Sequence, residues 1–427
     1  MTFRAWKQWM QALPWSLRWF VLLMLFRPVL DVFYFLKDIS PLLSPLYIVG
    51  VLTPVLIGAS YLMDTFPRKS PSLLDGIFGV WGVLLFFGAL TMVLDSPSLG
   101  ALGEAIKHVT PVFIYFFVRH LIRSKRDLKG VLTTFLYGAV VPFGMLLYER
   151  LIRPLDDVVL TRGYARYEGL YADVLSYAIY IVGALLVACY FFLDRDSQES
   201  FNRRAWRLGG VGTLCTLGLL SMHHTSSWGV AAALLVLLVL HAAVSRQMSL
   251  VVFVVFIGIS GLLLVGDTIT ERVGTAVQTE VAVLEGEKDV DRAFHGRMTR
   301  WNYYFAQWED VMFLEGLIGG HLNPKDRIGG VLGGMHNDYL RILFTTGSIG
   351  LLVYLLFYGA LFGKSVSMAA DEKFLIRGAI AIVLLYSITT VPTLYPSLLY
   401  LVFSVFAYGA LPASQRQPAV APVREFG

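Results

Sequence analysis

The sequence predicts an all-α, polytopic integral membrane protein with about twelve transmembrane helices, and three observations support this prediction. Hydrophobic residues make up 56% of the 427-residue chain and charged residues only 15%, which is too little polar surface for a soluble protein of this length. The charged residues cluster between apolar stretches. Most of these stretches reach the roughly 18 to 22 residues that a helix needs to cross the hydrocarbon core.

The apolar stretches divide the chain into four parts. Spans 1–9 and an outer loop at 150–170 lie within residues 1–267, a large outer loop covers 268–335, three more spans lie within 336–411, and 412–427 form a tail. The stretch near 208–223 is short, and only Pro392 and Pro396 separate the last two spans. The predicted spans are 15–36, 43–63, 74–93, 101–122, 130–149, 171–193, 208–223, 227–245, 248–267, 336–362, 375–392 and 394–411.

Lysine and arginine residues mark one side of the membrane. They precede the first span and then cluster at 68–69, 119–129, 195–207 and 364–377, in alternate loops. Cytoplasmic loops of membrane proteins are enriched in these residues, so both termini are predicted to be cytoplasmic. The two longer loops, 150–170 and 268–335, then lie on the outer side.

The 268–335 loop is the only one large enough for a small extramembrane substructure. Its segment HGRMTRWNYYFAQWEDVMFL is predicted to form an amphipathic helix that lies on the membrane or packs on the bundle. Arg297 and Arg300 are three residues apart near its start, which places them on one face. The aromatic residues that make this helix amphipathic are Trp301, Tyr304, Phe305 and Trp308.

The segment HNDYLRILFTTGSIG enters the next span with four polar residues, and its entry lies at the outer boundary. His336 is either an interfacial residue at a helix end, followed by Asn337 and Asp338 as ordinary N-terminal residues, or a neutral imidazole facing a cavity. In the second case it would accept a proton from an attacking hydroxyl. Arg341 follows in the first turn.

Several cations on the outer side run against the charge asymmetry of the other loops. Arginines there can bind a phosphate with two parallel hydrogen bonds, or pair with Asp156, Asp157 and Glu168 in the same loop. Lys107 and His108 also lie near the outer surface, where both are expected at the interface. The arginines of the 150–170 loop are Arg150, Arg153, Arg162 and Arg166.

Other chemistries find little support in the sequence. Cys189 and Cys215 lie inside apolar runs without metal-ligand spacing, and no phosphate-binding loop or dinucleotide fingerprint occurs. The modest basic excess lies in short loops, which does not indicate nucleic-acid binding. Arg27 and Asp31, four residues apart in the first span, are predicted to form a structural ion pair.

The histidine segment resembles a motif of the O-antigen ligase and Wzy-type polymerase superfamily of bacterial envelope polysaccharide synthesis. The family pattern is His, then Asn, Ser or Gln, nine residues, Gly, and two or three residues before a small or aromatic position. His336, Asn337, Gly347 and Gly350 match it.

Three further segments, in the family's order, extend the resemblance over roughly residues 160 to 360. GRMTRW is similar to the family's Gly-Arg-x-x-x-Trp and selects Arg297, while RYEGLYADVLSYA is similar to its Arg-x-x-Gly-Leu-aromatic entry to a span and selects Arg166. FLEGLIGGH resembles the glycine-rich turn between them.

The resemblance implies a GT-C-like glycosyltransferase in the bacterial inner membrane, with its active site on the periplasmic side. The donor would be an undecaprenyl-diphosphate-linked glycan, the acceptor a glycan or lipid A core, and other envelope polysaccharide assembly proteins and membrane lipid would be partners. No metal or cofactor is implied. His336, Arg297 and Arg166 would be catalytic. The substrate contacts would be Asn337, Arg300, Arg162, Lys107, Trp301, Asp338 and Arg341.

One departure from the family bears on the choice between its members. The family often has Thr-x-Ser-Arg-Gly at the outer start of a span, and ligases depend on that arginine, whereas this chain has TSSWG with Trp228 in its place. The difference favours a repeat-unit polymerase over a ligase, unless a neighbouring arginine substitutes. A flippase or exporter of lipid-linked glycan, which needs no base, and a structural membrane scaffold are the alternatives from other classes.

Overall fold

The computed structural model describes most of the chain. The described residues are 1–40, 43–63, 71–95, 97–155, 159–161, 164–194, 200–244, 297–309, 312–319 and 336–416, with a few single positions between 274 and 285. They are helical apart from turns and one short hairpin, in agreement with the predicted all-α class.

Eleven helices and the hairpin form the N-terminal part. Strand β1 (Val159–Thr161) pairs antiparallel with β2 (Tyr164–Arg166) between α8 and α9, and a 3₁₀ turn joins α2 to α3. The helices are α1 (Phe3–Ala12), α2 (Trp15–Val32), α3 (Leu36–Ile39), α4 (Pro45–Met63), α5 (Leu73–Asp95), α6 (Leu99–Leu121), α7 (Lys125–Gly138), α8 (Val140–Leu151), α9 (Val174–Leu193), α10 (Phe201–Met222) and α11 (Thr225–Val244).

Six helices are described in the C-terminal part. Two of them fall inside the predicted 268–335 loop, and a 3₁₀ turn at Pro392–Leu394 separates the last two long helices. They are α12 (Arg297–Glu309), α13 (Phe313–Ile318), α14 (Asp338–Ser365), α15 (Ala370–Thr389), α16 (Pro396–Gly409) and α17 (Ala413–Arg416).

Helices occur at eleven of the twelve predicted spans, and the remaining predicted span, 248–267, lies outside the described residues. Six segments of the described chain are long and apolar enough to cross a membrane, which indicates a membrane protein. The count of twelve spans stays a prediction. The six segments are Leu73–Asp95, Gly100–Leu121, Lys125–Leu151, Val174–Leu193, Thr225–Val244 and Asp338–Ser365.

Helix α9 is the centre of the bundle. All of its residues except Ser176 are buried, and it packs against α10, α15, α11 and α16. A helix that is apolar on every side is expected to be enclosed by protein or lipid, and here other helices enclose it. The N-terminus of α9, with its capping residue Asp173, therefore lies among the ends of several neighbouring helices.

A kink divides α14 at Gly347, whose φ of 71° and ψ of −178° are confined almost entirely to glycine. A Cβ atom there would overlap the carbonyl group of Leu317 in α13. Gly319, which follows α13, and Gly88 of α5 both lie against the carbonyl oxygen of Thr345. Three glycines thus let α5, α13 and α14 meet at one point.

The predicted ion pair in the first span is confirmed. Arg27 Nε and Asp31 Oδ1 are 2.6 Å apart and both side chains are buried. The Tyr180 hydroxyl donates to Asp31 at 2.7 Å, and the Tyr171 hydroxyl donates to the carbonyl of Pro28 at 3.1 Å. These contacts join α2 to the beginning of α9.

A second buried charged cluster lies at the other end of α9. Lys125 Nζ is 2.9 Å from Asp371 Oδ2 and 3.7 Å from Glu372 Oε1, while Lys129 Nζ is 2.6 Å from Asp194 Oδ2. The two lysines belong to a loop predicted to be cytoplasmic, and their pairs hold together the ends of α7, α9 and α15.

Candidate functional site

The candidate site lies where the N-termini of α9 and α14 meet the turn between α15 and α16. Asn337 caps α14, because its Oδ1 accepts the N–H of Leu340 at 3.0 Å. Its Nδ2 also donates to the carbonyl of Ile388 near the end of α15, at 3.3 Å. Asn337 thus fixes the start of α14 against α15.

A buried polar network surrounds the first turn of α14. Arg341 Nε lies 2.6 Å from Asp338 Oδ1, and the other guanidinium nitrogens donate to His108 Nδ1 at 2.7 Å and to Thr393 Oγ1 at 2.5 Å. The Thr393 hydroxyl donates in turn to Asp338 Oδ2 at 2.7 Å. Because arginine only donates, Nδ1 of His108 must be unprotonated.

Asp173 connects the other side of the turn to α9. Its carboxylate accepts the N–H of Ser176 at 2.7 Å and the hydroxyl of Tyr395 at 3.0 Å. Thr393 and Tyr395 are two residues apart in the segment VPTLYP. This short turn therefore bonds the carboxylates at the N-termini of both α14 and α9. This arrangement fixes α9 and α14 relative to each other.

His336 stands immediately before this framework. Its side chain is exposed and its φ is 46°, in the left-handed region that residues other than glycine rarely adopt. Reduced hydration lowers the pKa of the imidazole, and Arg297 and Arg300 lower it further, while Asp173 acts in the opposite direction. The ring is therefore mainly neutral at pH 7 and can accept a proton.

Helix α12 brings its arginines to His336 by docking on α14. Tyr304 is buried with its ring 5.8 Å from that of Phe344, and the Trp308 ring lies 5.2 Å from Phe344 on the same face. Trp301 packs, partly buried, against this cluster. The amphipathic helix predicted from the aromatic spacing therefore packs on the bundle by its apolar face.

Arg297 and Arg300 form a pair of cations in the first turn of α12. Within the described part of the chain, neither makes a hydrogen bond or an ion pair. Reduced hydration lowers the pKa of Arg297 and the charge of Arg300 lowers it further, but a guanidinium remains protonated at neutral pH. Two half-buried guanidinium groups beside an exposed imidazole are suited to binding an anion.

The remaining predicted site residues are placed less completely. Arg162 lies outside the described residues, as does the side chain of Arg166, whose backbone ends β2. The residue after it, Tyr167, donates its N–H to the carbonyl of Ser221 at 3.3 Å. Lys107 pairs with Glu104 at 2.7 Å on the partly exposed surface of α6.

Asp338 and Arg341, predicted to contact substrate, are buried in the network described above. A ligand at His336 would reach their side chains only if that network opened. The geometry therefore gives them a supporting position behind His336.

Trp228 and Arg150 lie around the turn between α10 and α11. The indole N–H of Trp228 donates to the carbonyl of Leu219 at 2.7 Å. The guanidinium of Arg150 donates to Ser221 Oγ at 2.7 Å and lies 4.3 Å from the centre of the Tyr167 ring. Arg150 thus contacts the end of α10, shortly before the segment TSSWG.

Sequence reasoning missed Asp173, Thr393 and Tyr395, and it expected His108 only at the interface. An aspartate directly before an apolar run is a helix-capping signal that could have identified Asp173. Thr393 and Tyr395 carry no comparable signal, since their partners are distant in sequence.

No group of three or more His, Cys, Asp or Glu residues that could hold a metal ion occurs among the residues placed by the structure. No protein-family model matches the chain, and a search of curated proteins gives no match.

Proposed function

We propose that the protein is a metal-independent, inverting glycosyltransferase of the periplasmic face of the bacterial inner membrane. It moves glycan from an undecaprenyl-diphosphate donor to an acceptor sugar hydroxyl, as a Wzy-like repeat-unit polymerase. The observation that supports this proposal is the pair Arg297 and Arg300, which have no partner among the described residues, beside an exposed His336 with a lowered pKa.

The arginines would bind the diphosphate of the donor. A guanidinium forms two parallel hydrogen bonds to a phosphate and stays charged at neutral pH. Positive charge fixed at the leaving group stabilises the transition state, so a metal ion is not chemically required. Three further residues are predicted to add positive charge at the leaving diphosphate, namely Arg166, Arg162 and Lys107.

His336 would act as the general base. Its neutral imidazole takes the proton of the acceptor hydroxyl as that oxygen attacks the anomeric carbon, and the bond from this carbon to the diphosphate oxygen breaks. The electron pair of that bond leaves with the polyprenyl diphosphate, and the configuration inverts. General-base assistance typically contributes about 10² to 10⁴ in rate.

Asp173, Asn337, Asp338 and Arg341 would position the base. Asn337 and the Asp338–Arg341 network fix the backbone next to His336, and the Asp173 carboxylate opposes the two arginines electrostatically. Once His336 has taken the proton, a nearby negative charge stabilises the imidazolium. Tyr395 holds that carboxylate in place.

A ligase that attaches glycan to lipid A core is the second candidate, and Arg150 favours it. This arginine lies against Ser221 near the end of α10, shortly before TSSWG, and would supply the cation that Trp228 does not. The acceptor requirement of the purified protein distinguishes the two candidates. Growth of a lipid-linked repeat unit without lipid A core supports the polymerase, and transfer that requires lipid A core supports the ligase.

His336→Ala tests the enzyme against a flippase or exporter. In proteoliposomes with a lipid-linked repeat unit, the variant should bind donor like the wild type. Its rate of glycan transfer should be about 10²- to 10⁴-fold lower. His241→Ala, in the last turn of α11, is the matched control. Wild-type transfer by His336→Ala would refute the assignment of His336 as the base.

A further inference from the structure

Three consecutive apolar residues at the start of α13 are strongly exposed. The exposed fractions are 68% for Met312, 81% for Phe313 and 64% for Leu314, and we call these three residues the α13 tip. Exposed contiguous apolar side chains of this size mark an interaction surface. Glu315, the acidic residue of α13, is less exposed than these three residues.

The other end of α13 is fixed to the bundle. Ser348 Oγ donates to the carbonyl of Gly316 at 3.1 Å, and the backbone at Leu317 and Gly319 lies directly against α14 at Thr345 and Gly347. Gly88 of α5 approaches the same Thr345 carbonyl oxygen. α13 therefore docks on one candidate span, α14, at the level where a second span, α5, also meets α14.

This level lies well inside the bundle. Thr345 is seven residues beyond the start of α14 at Asp338, and Gly88 is seven residues before the end of α5 at Asp95. At about 1.5 Å per residue, the contact lies roughly 10 Å below the helix ends. α5 has 23 residues, or about 34 Å, against a hydrocarbon core of about 30 Å. For α5 centred in the core and parallel to the membrane normal, the contact point is roughly 8 Å inside the core.

The exposed surfaces beside this contact are apolar as well. On α14, Ile349 and Leu352 are 40% and 57% exposed, and on α5, Leu90 and Leu94 are 57% and 68% exposed. These side chains belong to helices long and apolar enough to span the membrane, so lipid is their expected neighbour. The α13 tip is about as exposed as these lipid-facing side chains and equally apolar.

We infer that the α13 tip is inserted among the acyl chains of the membrane leaflet next to His336. α13 would thus be a short element embedded in one leaflet, wedged beside the kink of α14. Because only three residues separate α12 from α13, the inserted tip would anchor the C-terminal end of α12 at the membrane. The inference rests on depth and packing and does not require the proposed enzyme activity.

Spin-label accessibility in nanodiscs of phosphatidylethanolamine and phosphatidylglycerol tests the insertion. A nitroxide is attached to Phe313→Cys, and to the exposed Asn302→Cys of α12 as the control, in the full-length protein, whose own cysteines are both buried. We expect more collisions with oxygen and several-fold fewer with a water-soluble nickel chelate at 313 than at 302. Equal nickel accessibility would place the tip in water, and protection from both reagents would mean that protein covers it; either result overturns the inference.

Gly347→Ala tests whether the kink sets the depth. A Cβ at residue 347 overlaps the carbonyl of Leu317, whereas a Cβ at Gly359 of the same helix meets nothing within 4 Å, which makes Gly359→Ala the matched control. The label at 313 should gain nickel accessibility in Gly347→Ala only. An unchanged depth in both variants would show that docking at the kink does not place the tip.

Discussion

Asp338→Ala should destabilise the protein far more than its position at a helix end suggests. The substitution removes the 2.6 Å contact with Arg341 and the hydrogen bonds from Thr393, and it leaves a buried guanidinium without its carboxylate. Removing one member of a buried ion pair typically costs about 3–5 kcal/mol. We expect a loss of this size in the free energy of unfolding.

Glu104→Ala is the matched control. Glu104 and Lys107 form an ion pair with the same three-residue spacing, 2.7 Å long, but their side chains are 29% and 41% exposed. Exposed pairs contribute about 0–1 kcal/mol, because water screens the attraction and the side chains lose entropy. The two variants should therefore differ by about 2–5 kcal/mol.

Denaturant unfolding of the purified protein in one detergent measures both variants. Asp338→Ala combined with Arg341→Met should recover part of the loss, because the unpaired charge is then removed as well. If Asp338→Ala lies within about 1 kcal/mol of Glu104→Ala, the network does not hold α14 against the turn. In that case the network does not fix the position of His336 either.

The remaining predictions concern the charges around His336. Arg297→Ala and Arg300→Ala should each raise the donor concentration needed for half-maximal transfer, and Arg297→Lys should restore little because the planar fork is lost; normal turnover at limiting donor would contradict this. A base works only when deprotonated, so transfer should fall as the pH drops through the pKa of His336. Asp173→Asn keeps the helix cap but removes the charge that raises this pKa, so the acid limb should move to lower pH. Arg297→Gln should move it to higher pH, and pH–rate profiles that coincide with the wild type would exclude these electrostatic contacts. Tyr395→Phe should act in the same direction as Asp173→Asn, but less, since the carboxylate loses its position and keeps its charge.

Local patterns in the sequence were sufficient to predict the helices and the amphipathic character of α12, but not whether α12 lies on the membrane or packs on the bundle. Apolar runs of spanning length predict α5, α9 and α14, and the aromatic spacing predicts the face on which Tyr304 and Trp308 meet Phe344. These features depend on residues within one or two helical turns of each other. Such periodicity is readable without knowledge of the fold.

The support behind His336 was not predictable in this way. The partners of Arg341 include His108 and Thr393, which are 233 and 52 residues away in sequence. No local sequence pattern predicts that these three side chains form one buried hydrogen-bonded network. Asp338 and Arg341 are predicted substrate contacts, and the sequence gives no sign that residues of α6 and of the turn before α16 enclose them.

The burial of α9 has a consequence for the order in which the protein assembles. Its hydroxyls bind groups made earlier in the chain, because Tyr177 donates to the carbonyl of Pro142 at 3.0 Å and Tyr180 to Asp31 at 2.7 Å. Its apolar contacts with α15 and α16 come from residues synthesised much later. During insertion, the hydroxyls of Tyr177 and Tyr180 can therefore find their partners at once while lipid covers the apolar rest of α9. The last helices, α15 and α16, then displace that lipid when they pack against α9. If translation paused after α11, α9 would remain covered by lipid on that side.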